Sequence, residues 1–126
     1  MVTWLYDESG DPSLILDEYC LRSPAGRPAG WIFGLTVFAI NGEHMGWFED
    51  GILYDVANHK LGFVPGARGL GTRAPALGPT PPMPPLGKRP LVPPLRGRPA
   101  RPPERGWSPH RLLHYFDAMT HADLPH

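Results

Sequence analysis

The chain of 126 residues suits one domain with an appendage. Its formal net charge is zero, yet residues 1–64 hold nine acids against three bases and residues 65–126 hold nine bases against three acids, so an acidic head of −6 carries a basic tail of +6. The lone Cys20 excludes an internal disulfide and a cysteine zinc site. No apolar run approaches the roughly 18–20 residues that cross a bilayer, and no charged-then-apolar start marks a signal peptide, so a cytoplasmic protein is the expectation.

The head repeats with a period of 16 residues: Gly10, Gly26 and Gly42 are evenly spaced, and Asn58 takes the fourth place. Glycine and asparagine best tolerate positive φ, so Ser9-Gly10, Ala25-Gly26, Asn41-Gly42 and Ala57-Asn58 mark four equivalent tight turns. Neighbouring columns agree. Leu5, Leu21, Val37 and Leu53 precede the turns; Ile15, Trp31, Trp47 and Phe63 follow them. Each unit reads as strand, turn, strand: Trp4 to Asp17, Tyr19 to Gly34, Leu35 to Asp50 and Gly51 to Gly66. A lone hairpin is marginal in water, whereas four around a common axis share a core and hide their strand edges. The expected fold class is therefore all-β, four hairpin repeats in a pseudo-four-fold arrangement over residues 1–67. Gly30, Gly46 and Gly62 form a further column that predicts close backbone approach, and Leu14 departs from it.

The segments WLYDESGDPSLILD and NGEHMGWFEDGILYD, with the 16-residue period, resemble the bacterial 4-fold β-flower proteins over about residues 3–67. The resemblance implies a fold and transfers no catalytic residue. It also implies a biased tail with an aromatic end, here Trp107-Ser108 and Tyr115-Phe116.

Fourteen of the 18 prolines lie between Pro65 and Pro109, and residues 68–106 are a low-complexity run with too few large apolar groups to offset ordering entropy. A disordered Pro/Arg-rich linker with polyproline II character is expected there. Within it, Arg89-Pro-Leu-Val-Pro-Pro-Leu-Arg96 resembles a ligand of SH3-type grooves, against which plain linker composition is the blander reading. Residues 107–126 change character. Ser108 suits a helix cap, Pro109 the first turn, and Trp107 is placed to staple onto Leu112. Leu112, Tyr115, Phe116 and Met119 recur at helical spacing, predicting a short amphipathic helix near Pro109 to His121. Such a helix is marginal alone and needs a surface, either its own domain or a partner.

Candidate chemistry is thin. His110 and His114 share a helix face, and Asp117 and His121 are near in sequence, but the glutamate of a HExxH motif is missing. Asp7 and Asp55 are equivalent by repeat, which predicts the same turn-bonding role for both rather than an acid–base pair. Cys20 falls in a strand and reads as a buried thiol. Most of the head's aromatics read as core, with an aromatic rim for a peptide, sugar or base as the lesser reading. No cofactor or metal and no enzymatic activity are expected. The leading reading is a protein-interaction or scaffold module, with Trp107, Leu112, Tyr115, Phe116 and Met119 as partner-binding anchors. It predicts that Phe116→Asp weakens docking far more than Arg101→Ala. The alternative is weak nucleic-acid association through the basic tail.

Overall fold

A computed structural model describes residues 1–70, 75–89, 91–92 and 100–116. Eight antiparallel strands follow one another round a ring: β1 (Val2–Tyr6), β2 (Pro12–Asp17), β3 (Cys20–Arg22), β4 (Pro28–Phe33), β5 (Thr36–Ala39), β6 (His44–Glu49), β7 (Ile52–Tyr54) and β8 (His59–Phe63). Each pairs with the next, and β1 pairs back onto β8. A ninth strand, β9 (Arg105–Trp107), lies parallel beside β8.

The repeat is visible in the register. Tyr6 faces Pro12, Arg22 faces Pro28, Phe38 faces His44 and Tyr54 faces Lys60, and in every unit a bulge sits immediately before that pair. The bulges add twist and bend, which a closed eight-stranded ring requires. Each turn closes alike: Gly10, Gly26, Gly42 and Asn58 donate their amides to Asp7, Ser23, Ala39 and Asp55 at 2.9 Å. All four have positive φ, from 64° at Asn58 to 91° at Gly26 and Gly42. At the other end of the barrel, Glu18, Gly34 and Asp50 turn the chain between units, also at positive φ.

Closure is in register but weak. Tyr6 pairs with Phe63, the repeat equivalent of Arg22 with Ile15, Phe38 with Trp31 and Tyr54 with Trp47. The other junctions extend over three or four pairs, whereas this one is a single pair. Pro65 follows two residues after Phe63 and has no N–H to extend the ladder.

Strand alternation sorts the side chains onto two faces. Leu5, Leu21, Val37 and Leu53 are fully buried in one cluster with Leu14, Leu16, Met45 and Leu61. The opposite face carries Trp4, Tyr6, Ile15, Trp47, Ile52, Tyr54 and Phe63, and a smaller group of Cys20, Trp31 and Phe38. Burial pushes the Cys20 thiol above its ordinary pKa, so the thiolate is disfavoured.

The described parts of the 68–106 segment differ from a free linker. They lie along the barrel as extended chain: Gly78 donates to the Gly10 carbonyl at 2.8 Å, Thr80 meets the Tyr6 hydroxyl at 2.9 Å, and Leu86 packs on the aromatic face. Extended chain of this kind leaves its own carbonyls unpaired, so they are free to accept from the barrel. Composition alone carries no trace of that.

Candidate interaction site

The tail meets the barrel again at the turn of the fourth unit. Asn58 stands where the other turns have glycine, and its side chain bonds twice: Nδ2 donates to the Pro102 carbonyl at 2.8 Å, and Oδ1 accepts from Arg101 Nε at 2.9 Å. Arg101 also reaches Glu49 Oε1 at 2.9 Å. Its guanidinium lies over the rings of Tyr54, 4.8 Å from the centroid, and Trp47, at 5.5 Å. Nothing in the sequence separated Arg101 from the other tail arginines. It is a further contact residue that the sequence reading did not single out.

From Arg101 the chain runs into β9, whose residues pair with the start of β8, beyond the point where β1 leaves it. Lys60 and Glu104 form an ion pair at 2.9 Å, and the Ser108 amide donates to the Lys60 carbonyl at 2.7 Å. Trp107 packs edge-on against Phe63, with ring centroids 6.3 Å apart. This corrects the staple expected with Leu112. Trp107 belongs to a strand and joins the outer aromatic face, while Leu112 enters the inner cluster.

The Ser108 hydroxyl oxygen accepts from the His110 amide at 3.1 Å, a local turn; this corrects its expected role as helix cap, because the helix begins at Leu112 and its first bond runs from the Tyr115 amide to the Arg111 carbonyl. The same hydroxyl donates to Asp55 Oδ2 at 2.7 Å. Asp55 Oδ1 meanwhile accepts from the amides of Ala57 and His59 at 2.9 Å, and Asp7 does the same for Ser9 and Asp11. The two aspartates therefore hold turns, and among the described residues only Asp55 has gained a tail partner. His59 lies 3.8 Å from Asp55 but does not stand between it and Ser108, so a serine–histidine–carboxylate relay is not assembled.

Residues 112–116 are helical. Leu112, Tyr115 and Phe116 are buried among Leu5, Leu21, Val37 and Leu53, so the helix stops the end of the barrel. The glycine column serves close backbone approach first: a Cβ on Gly30, Gly46 or Gly62 would stand 2.4, 1.9 or 2.8 Å from the carbonyl oxygen of Phe38, Tyr54 or Tyr6. At Gly62 it also makes room for the helix, since that Cβ would lie 2.6 Å from Leu112 Cδ2. Tyr115 donates its hydroxyl to the Met45 carbonyl at 2.7 Å and accepts from the Val56 amide at 3.2 Å. Burial pushes its pKa up to about 12, which keeps it a donor. Of the five anchors read from sequence, four meet the barrel. Met119 lies outside the described residues, as do Asp117, His121 and residues 93–96 of the SH3-like stretch.

A second grip lies two units away around the ring. Arg22 is buried and donates to Asp17 Oδ2 at 2.9 Å, to the Gly26 carbonyl at 2.9 Å and to the tail carbonyl of Gly87 at 2.7 Å. Arg89 takes the other Asp17 oxygen at 3.0 Å and lies 5.4 Å from the Tyr19 ring centroid. Arg89 first, then Arg22, holds the Asp17 carboxyl below its usual range against the opposing effect of burial. Asp17, Tyr19, Leu86, Gly87, Lys88 and Arg89 line an open groove of about 590 Å³. Among the described residues no three His, Cys, Asp or Glu side chains are grouped as metal ligands would be.

No curated protein and no solved structure matches the chain. A family model does, and it extends well past the hairpins to take in the tail strand and the start of the helix, where the resemblance read from sequence had stopped near residue 67. The ring of four hairpins and the match over residues 3–116 agree: the chain belongs to the 4-fold beta flower protein family.

Proposed function

We propose that this protein is a non-enzymatic interaction or scaffold module, a rigid barrel whose own tail occupies its binding surface and is exchanged for a partner. The observation that carries this reading is the manner in which the tail is held. An extended proline-rich chain, a short added strand and an aromatic-faced helix each use a mode by which protein modules take up peptides. Leu112, Tyr115 and Phe116 supply the buried anchors. Arg89 and Arg101 are engaged with acids of the barrel, which favours protein contact over the alternative of phosphate contact through the tail.

A split chain tests it. A protease site is introduced within residues 93–99, the chain is cut after folding, and a labelled copy of the released C-terminal piece is added. Exchange of the bound piece for the labelled one, with the barrel still folded, supports an interaction module. If the piece leaves only when the barrel unfolds, the tail is a fixed part of the core and the reading fails.

A further inference from the structure

Two tail arginines meet barrel acids that the repeat makes equivalent, each beside an aromatic ring from a different column. Asp17 and Glu49 occupy the same column, two units apart. Each carboxylate receives a guanidinium from the tail, Arg89 at 3.0 Å and Arg101 at 2.9 Å. Each guanidinium lies against an aromatic ring, Tyr19 in one case and Tyr54 with Trp47 in the other. Each arginine is followed directly by proline, Pro90 and Pro102. At the Glu49 site the recognition extends to the backbone, because Asn58 takes the Pro102 carbonyl while it accepts from Arg101.

We infer that the pocket of Trp47, Tyr54, Glu49 and Asn58 is a recognition site for arginine followed by proline in an extended chain, and that a partner protein's segment of this chemistry is what exchanges with the tail. The parts fit that ligand and not a general cation. A carboxylate and a side-chain carbonyl face different nitrogens of one planar guanidinium, and aromatic rings lie against it, a combination that a lysine ammonium satisfies poorly. Proline after the arginine keeps the chain extended, which presents the following carbonyl to Asn58 at low entropic cost. The acidic head adds a field that attracts basic segments. Asp17 and Tyr19 repeat the chemistry in the other groove, so a ligand with two spaced arginine–proline steps would engage both.

This inference rests on the barrel being an interaction module, and its test uses the full chain. In Arg101→Ala the pocket loses its own side chain. A blocked peptide with the sequence of residues 98–105 is titrated into that variant while the Trp47 indole N–H resonance is followed. The expected result is a saturable shift, with the lysine-for-arginine peptide at least about tenfold weaker. Methylguanidinium should move the same resonance at concentrations where methylammonium does not. Arg101→Lys serves in the same way should the alanine variant fail to fold. Equal binding of the two peptides, or of neither, overturns the inference. So does a full-length dimer that Arg101→Ala dissociates, because the occupant would then be a second copy of this chain. If the cut C-terminal piece exchanges but the pocket ignores the arginine peptide, this inference alone is lost and the interaction module stands.

Discussion

The Ser108 hydroxyl donates to Asp55 Oδ2 at 2.7 Å across 53 positions of sequence, fastening the tail to the turn of the fourth hairpin. Asp55 thereby serves its own turn and the tail, whereas among the described residues its repeat equivalent Asp7 bonds within the first unit, through two amides and Ser13 at 3.4 Å. Asp55→Ala should therefore cost more stability than Asp7→Ala, by about 1–2 kcal/mol, the worth of a buried charge-assisted bond. Urea denaturation of both variants checks this, and equal losses would remove Ser108 from the account.

Phe116→Ala and Leu112→Ala empty space inside the barrel. Each should destabilise by about 2–5 kcal/mol, with faster protease cleavage in the tail than in the hairpins. Tyr115→Phe keeps the volume and removes one hydroxyl, leaving the Met45 carbonyl and the Val56 amide without that partner, so about 1–3 kcal/mol is expected.

Gly10 and Gly34 separate two roles of glycine. Both have positive φ, 82° and 59°, but a Cβ on Gly34 would meet nothing within 4 Å, while one on Gly10 would lie 1.9 Å from the Ala76 carbonyl oxygen. Gly34→Ala should cost about 1–2 kcal/mol, the price of left-handed backbone alone. Gly10→Ala should add displacement of the tail, read as loss of amide protection at Gly78, which bonds the Gly10 carbonyl.

Asp17 should make stability depend on acid. Its folded-state pKa lies below the ordinary 3.8, so the unfolded chain binds the proton first as pH falls. The stabilisation is complete above the ordinary value and disappears as pH drops through the folded one. Wild type and Asp17→Asn should thus differ most near neutral pH and converge in strong acid. A difference that stays constant with pH would mean that the Arg22 and Arg89 pairs contribute nothing through charge.

The hairpins were legible because glycine cannot be replaced cheaply where φ is positive, and a 16-residue spacing repeats that constraint in the open. The helix anchors were legible because 3.6-residue spacing marks Leu112, Tyr115 and Phe116 as one face. The grip on the tail was not. Backbone carbonyls at Gly87 and Pro102 do their bonding whatever residue carries them, and Arg101 differs from its neighbours only by what stands opposite it. Trp107 was misread for a related reason. Four residues separate it from Leu112 in helical numbering, but the chain between passes from strand to helix, and the two side chains go to opposite faces of the sheet.

The single pair between Tyr6 and Phe63 gives a four-sided object a front. A perfect ring of identical hairpins could be met in four equivalent orientations, and nothing that bound it could tell one from another. Here the chain's own discontinuity singles out one side, and β9 pairs with β8 beside it. Whatever engages the protein across that junction meets it in one pose only, so the orientation of an assembly built on this barrel is set by where the ring was left unfinished.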